Sequence, residues 1–322
     1  MFLLDTTTSI VCKVCANEKG NTIFQTKEMM FGFKELFNYI QCASCGVVQL
    51  QSIPAYMAKY YPTDYYSYTT KEATGFSFKN WRQGIAYQHF FGRPNLLGAL
   101  VSIFSSKPPI WMKKKYLTLS SKILDVGAGS GKLLLEMNRG GFNNLMGSDP
   151  FLSSDIHYQC GVSILKKDFF DIAETFDFIM FHHSFEHMDA PEKVFQHIYK
   201  LLNKGSYALI RIPVADSSSF KKYGANWVNL DPPRHFFLHT TQSMQLLANK
   251  VGLNLTDIIY DSNQFQFYGS ELYLKGYSLD SYNKGEHPEM FSKKQMRAFR
   301  AEAHRLNKIK EGDWACFYLY KP

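Results

Sequence analysis

The chain has 322 residues, enough for one large domain and a smaller one. With 45% hydrophobic residues and no apolar run of membrane-spanning length, it reads as a packed globular protein, not a disordered, fibrous or membrane-spanning one. The net charge of +8 is uneven: residues 71–122 hold nine Lys and Arg against Glu72 alone, whereas residues 1–50 are balanced, so the N-terminal region lacks a basic nucleic-acid footprint.

Taken in chain order, Met1 to Asp5 carry no basic leader and no long apolar core, and a cytoplasmic location is the expectation. Cys12-x-x-Cys15 and Cys42-x-x-Cys45 follow, 26 residues apart, with Gly46 after the second pair. Two such knuckles can converge four thiolates on one tetrahedral Zn²⁺, and four thiolates leave no open position, so the expected role is structural. Disulfides are the competing pairing, and a reducing cytosol disfavours them. Thr22–Gln25 and Tyr39–Gln41 are expected to pair as a small ribbon. Cys160 and Cys316 sit in apolar surroundings and read as ordinary buried residues.

Residues 51–118 read as an aromatic linker and helical lid. The Tyr60–Tyr68 stretch is too aromatic for a free linker. Trp81–Phe91, Asn95–Phe104 and Trp111–Leu119 are expected helices, the last carrying Lys113, Lys114 and Lys115. An apolar helix flanked by Trp and Lys can close over a catalytic domain, and it leaves contact with an anionic membrane surface open.

Ile123-Leu-Asp125-Val-Gly127-Ala128-Gly129-Ser-Gly131 is a buried strand turning through glycines into a helix. A P-loop would need four residues before Gly-Lys and then a hydroxyl; here Gly127 and Gly131 enclose three, and Leu133 follows Lys132. The dinucleotide fingerprint needs a third glycine where Lys132 stands. A second strand, Leu145–Ser148, ends in Asp149-Pro150. Ile164–Phe169 and Phe176–His187 supply a third and a fourth strand, the last with the exit loop His182-His183-Ser184-Phe185-Glu186-His187. Helices beginning near Asp189–Pro191 and Thr240–Thr241 separate strands over 207–212 and 255–260. An insertion over 261–312, with a charged helix near Lys293–Lys308, precedes a last strand, 315–320.

The Asp125-x-Gly127-x-Gly129-x-Gly131 loop and the ordered strands after it resemble the class I S-adenosylmethionine (SAM) methyltransferases over about residues 119–322. The resemblance implies an α/β fold: a Rossmann-like sheet of seven strands with helices on both faces, its last strand antiparallel between strands five and six. It also implies that Asp125, Gly127, Ala128, Gly129, Gly131, Asp149, Pro150, Asp168, Phe169 and His182 form the SAM site, with Asp149 on the ribose and Asp168 and Phe169 at the adenine. The division is then 1–50 zinc ribbon, 51–118 linker and lid, and 119–322 methyltransferase.

Methyl transfer to a hydroxyl or carbon needs a base near neutrality, and His183 and His235 are the candidates, with Glu186 beside them. His235 closes a second polar loop, Asn226–His235, whose Trp227 is expected to stack on the acceptor with Tyr65 and Tyr66. Some related methyltransferases carry Glu-x-x-Glu-His on this loop and bind a divalent ion, and His183, Glu186, His187 and His235 could do the same. The Asp231-Pro-Pro-Arg-His235 loop, the four-Cys front and the last strand resemble bacterial zinc-ribbon methyltransferases of sugars and other small molecules. The expectation is a small-molecule acceptor, a carbohydrate or nucleotide- or lipid-linked sugar, with an anionic handle met by Arg82, Arg93 or Lys113–Lys115. The alternatives are an RNA methyltransferase using the ribbon, and a non-catalytic SAM-fold binding protein.

Overall fold

The computed structural model describes residues 10–61, 78–92, 96–104 and 108–322. Tyr65, Tyr66 and Arg93 therefore lie outside the described residues.

The ribbon forms from the expected strands. β1 (Thr22–Lys27) and β2 (Leu36–Gln41) pair antiparallel with Phe24 opposite Tyr39, and β3 (Val48–Leu50) extends the sheet. Each Cys pair sits on a tight turn. Gly46 takes φ +73° there and donates its N–H to the Cys42 carbonyl at 3.0 Å, a conformation that glycine adopts without steric cost.

Of the three expected helices, two form: α1 (Phe78–Phe91) and α2 (Leu96–Ile103). Residues 111–119 are turns instead. Their buried side chains are Trp111, Met112, Tyr116 and Leu117. At 100° per residue these spread over about 240° of a helix surface, so no single helical face could bury them all.

The larger sheet follows in chain order. β4 (Ile123–Val126) leads through the glycine loop to α3 (Lys132–Arg139), then β5 (Leu145–Ser148), the short hairpin β6 (Ile156–His157) and β7 (Ser163–Leu165), and β8 (Phe176–His182). α4 (Pro191–Leu201), β9 (Leu202–Pro213) and α5 (Ser218–Tyr223) come next, then β10 (Phe237–Leu238) and α6 (Thr241–Val251). β11 (Asn254–Tyr260), α7 (Phe265–Leu274), α8 (Leu279–Asn283), α9 (Lys293–Lys308) and β12 (Trp314–Tyr320) complete it. The order across the sheet is β11-β12-β9-β8-β4-β5-β7-β6. β4, β5, β7, β8 and β9 run parallel, and β12 is antiparallel between β9 and β11. This is the seven-stranded arrangement the resemblance implies, with β6 as an eighth edge strand. The β6–β7 turn exposes Cys160, which corrects its expected burial; Cys316 is buried in β12 as expected.

Strand alternation splits the core across the sheet. Ile179 and Phe181 of β8, with Phe317 and Leu319 of β12, face α4 and α6. Phe178 and Met180, with Cys316 and Tyr318, face α1 and α3. α1 packs behind the sheet: its Phe91 meets Phe142 edge-to-face at 5.2 Å, and Gly84 lies so close that a Cβ there would fall 2.6 Å from the Arg139 carbonyl oxygen.

The ribbon is joined to the larger sheet's layer by shared structure. β10 pairs with β3, so the four-stranded order is β1-β2-β3-β10. Cys12, Cys42 and Cys45 share one apolar cluster with Phe237, Met244 and Leu247. Thr240, the capping residue of α6, also donates its hydroxyl to the Cys45 carbonyl at 2.6 Å. Arg234, fully buried, reaches Glu28 of the ribbon at 3.0 Å and Asp231 at 2.5 Å. Glu28 is equally buried and also accepts the N–H groups of Phe31 and Phe33.

Candidate active site

The chain reverses its direction across the sheet between β4 and β8, and ligands in such sheets bind beyond the strand ends at that point. A cavity of about 670 Å³ opens there.

One end is built by the loops after β4, β5 and β7. Gly127, Gly129 and Gly131 all have positive φ. A Cβ on Gly127 would fall 2.5 Å from Ser184 Cβ, and Ser184 Oγ donates to the Val126 carbonyl at 2.6 Å, so the two loops are seated on each other. The Asp149 carboxylate accepts the N–H groups of Gly129 at 2.9 Å and Phe151 at 3.0 Å. Burial raises its pKa, and those two hydrogen bonds oppose the rise. Gly127, Asp149, Pro150, Asp168, Phe169 and His182 border the cavity; Asp125, Ala128, Gly129 and Gly131 do not. Asp125 is buried, and desolvation, then the Asp149 charge, push its carboxyl up to about 8. At neutral pH it is mostly protonated and offers a ligand no charge.

The other end is built by side chains from distant parts of the chain. Met30 comes from the ribbon hairpin, Asn229, Asp231 and His235 from the second polar loop, and Tyr273 and Leu279 from the insertion. Trp227 is not there: it is buried in a core cluster, with its indole N–H donated to Asp313 at 3.1 Å, which corrects its expected stacking role. None of Arg82 and Lys113–Lys115 borders the cavity either. Lys114 reaches the Gly92 carbonyl and Lys115 reaches Asp257.

The histidine loop lies between the two ends. His183 has φ +54°, donates its backbone N–H to the Arg211 carbonyl, and accepts from the Arg211 guanidinium at Nε2, 2.5 Å away. Its Nδ1–H therefore faces Glu186 at 3.4 Å. Arg211 is held in turn by Asp261 at 2.8 Å. Burial holds His183 and His187 below the usual imidazole range, and the neighbouring Glu186 partly opposes this in both. Burial alone would raise Glu186, but His183 first, then the facing His187 and His235, bring it down to about 2. His182 is buried and neutral, its ring 4.4 Å from that of Trp111. Arg211, Asp261 and Trp314, which clamp His183, were not anticipated. An arginine inside the apolar Leu209-Ile-Arg-Ile-Pro213 strand was the available signal.

Residues 95–258, half of the chain, match the family model described as methyltransferase domain. The chain belongs to this methyltransferase family. It is a SAM-dependent methyltransferase, and no curated protein matches it. Similar solved structures include a SAM-dependent methyltransferase from Thermotoga maritima, described as a possible histamine N-methyltransferase (16% identity, 63% of this chain and 83% of that one, TM-score 0.40). A cyclopropane synthase from Mycobacterium tuberculosis is 17% identical over 76% of this chain and 94% of its own, with a TM-score of 0.42. A SAM-dependent methyltransferase from Archaeoglobus fulgidus is 19% identical over 73% of this chain and 97% of its own, with a TM-score of 0.41.

The donor set at the glycine end of this methyltransferase fits a nucleoside. Asp149 and Asp168 present carboxylates for hydroxyl and amino groups, and Phe151, Phe169 and Phe170 supply aromatic surface beside them. The four cysteines likewise fit one metal ion. Cys12 and Cys45 sulfurs stand 3.6 Å apart and Cys15 and Cys42 sulfurs 3.5 Å, far beyond a disulfide and near the edge of about 3.8 Å that tetrahedral Zn–S bonds give. No helix among the described residues is long and apolar enough to cross a membrane.

Proposed function

We propose that this methyltransferase acts on a small polyhydroxylated ring compound, a carbohydrate or sugar conjugate. The observation that carries the reading is the continuous cavity: its glycine end suits SAM, and its far end mixes aromatic faces (Tyr273, Phe265 and Trp314) with Asn229, Asp231 and His235. Aromatic faces pack on ring C–H surfaces, while amide and carboxylate groups take hydroxyl protons. The ribbon supports the same reading, because its Met30 borders the acceptor end and its sheet is completed by β10.

SAM supplies a sulfonium-activated methyl group, so the protein has to bind, orient and exclude water. Gly127, Asp149, Pro150, Asp168 and Phe169 hold the cofactor in this reading. The acceptor is activated by Glu186, His187 and His235. His183, with its Nε2 committed to Arg211, is a positioning residue that orients Glu186. The neutral ribbon carries one structural Zn²⁺ on Cys12, Cys15, Cys42 and Cys45.

Calorimetry tests the cofactor end: Asp149→Ala should weaken SAM by about 1–3 kcal/mol, the scale of lost charge-assisted hydrogen bonds. Unchanged affinity would put the ribose elsewhere. Release of S-adenosylhomocysteine in the presence of monosaccharides, sugar nucleotides or RNA tests the acceptor; turnover with RNA alone would overturn the small-molecule reading. Metal analysis of the reduced protein should return one tightly bound zinc per chain, lost on replacing Cys12 and Cys45, and a Cys12–Cys15 disulfide would exclude it.

A further inference from the structure

We propose that α2 and the lysine cluster that follows it dock the protein on an anionic lipid surface. α2 has one side in the protein and one in water. Gly98 is buried, whereas Leu96, Leu100 and Ile103, spaced by four and three residues, are 87%, 62% and 71% exposed. Phe104, just past the helix end, is 73% exposed. At 100° per residue these four side chains fall within about 100° of arc, on the side opposite Gly98. A single apolar side chain in water is ordinary, but four large ones in one stripe mark an interaction surface.

Charge selects the partner. Residues 78–122 hold eight Lys and Arg and no Asp or Glu. The lysine cluster stands beside the helix pair: Lys114 Nζ lies 3.2 Å from the carbonyl of Gly92, the residue after α1. Asp257 of β11 is the carboxylate this cluster meets, 3.3 Å from Lys115, and it offsets one charge of the three. A projecting aliphatic and aromatic stripe with lysines beside it matches a bilayer interface. There the apolar side chains enter the boundary of the acyl layer, and the ammonium groups stay among anionic headgroups.

Length fixes the mode. The eight residues of α2 extend about 12 Å, far short of a hydrocarbon core of about 30 Å, so the helix lies in the interface and does not cross it. Leu96, Leu100, Ile103 and Phe104 do not border the cavity. α1, on which this surface is carried, packs through Gly84 and Phe91 on Arg139 and Phe142, in the segment that leads into β5, whereas the cavity lies beyond the opposite ends of the strands. Docking and SAM binding therefore use separate parts of the molecule.

The test is flotation of the full chain with vesicles of phosphatidylcholine, alone or with about one-third phosphatidylglycerol. Binding should be at least ten-fold tighter to the anionic vesicles and should weaken as salt is raised. The pair Leu100→Ser and Ile103→Ser should weaken it ten-fold or more, and so, separately, should replacement of Lys113, Lys114 and Lys115 by Gln. SAM affinity and the thermal midpoint, measured on both variants, should stay at wild-type values, which separates lost docking from lost folding. No binding by the wild type, equal binding to neutral vesicles, or full binding by either variant would overturn the proposal. So would a lipid-free dimer that the serine pair splits, since the stripe would then belong to a second copy of the chain.

Discussion

The two ends of the cavity are made in different ways. The proposed cofactor end is built from short contiguous loops after β4, β5 and β7, held by hydrogen bonds such as Gly129 N–H to the Asp149 carboxylate. The proposed acceptor end is built from side chains far apart in sequence: Met30 from the ribbon, the 229–235 loop and the 273–279 segment. It is held by buried polar side chains, above all Arg234, which bridges Asp231 and Glu28 across 206 positions of chain. Local motifs can encode the first end. The second exists only after the ribbon has docked.

Breaking the docking should therefore damage the acceptor end first and most. Arg234→Ala leaves Glu28 wholly buried, and Asp231 half-buried, without their partner, and removing one member of a buried pair costs about 3–5 kcal/mol. Denaturant unfolding should register that loss, and protein that stays folded should retain SAM affinity better than ribbon stability. An unchanged midpoint would mean that the strand pairing of β3 with β10 holds the ribbon unaided.

The same contrast explains what the sequence disclosed. The glycine turn after β4, the strand order and the antiparallel last strand were all legible, because each follows from a local pattern and a fixed connection. Trp227 was misplaced because its location is decided by Asp313, 86 positions away, which takes its indole N–H. The 111–119 segment has the apolar content of a helix, but Trp111, Met112, Tyr116 and Leu117 spread over too wide an arc for one helical face. The Arg211 clamp on His183 needed the β8–β9 pairing before its arginine had a target. In the two polar loops, residue types alone did not separate His183 from His187 and His235; the Arg211 guanidinium at His183 Nε2 and the carbonyls at Nδ1 of the other two did.

A smaller effect comes from acid. His239 lies in the bridge that joins residue 214 to the β10 end, fully buried, with its ring stacked between Phe185 at 5.0 Å and Phe237 at 5.7 Å. Burial lowers its pKa from 6.5 to about 3, and the Glu186 charge only partly opposes this. The folded pKa is depressed, so the unfolded chain binds the proton first. Stability contributed by the neutral ring is full above about pH 6.5 and is lost as pH falls toward 3. The loss should be roughly 2 kcal/mol at pH 5. His239→Phe keeps an aromatic ring in the stack and should flatten the slope of stability against pH over this window. An unaltered slope would assign the acid sensitivity to other groups.

The smallest effect is expected where composition pointed most strongly. Residues 71–122 hold the whole basic excess, and that concentration suggested an anionic acceptor near the mouth. Within the described residues those cations lie elsewhere. Lys115 pairs with Asp257 of β11 at 3.3 Å, at an exposed position, and Tyr116 donates to the same carboxylate at 2.9 Å. Exposed pairs of this kind contribute little, because water and salt screen them. Charge reversal of Lys113, Lys114 and Lys115 to Glu should leave SAM affinity within about two-fold and, once an acceptor is identified, its KM within about two-fold. A large rise in KM for a phosphorylated acceptor, with none for its neutral analogue, would return these lysines to substrate recognition. It would also extend the acceptor end beyond the cavity to the surface that carries β11, making the two ends of the site more unequal still.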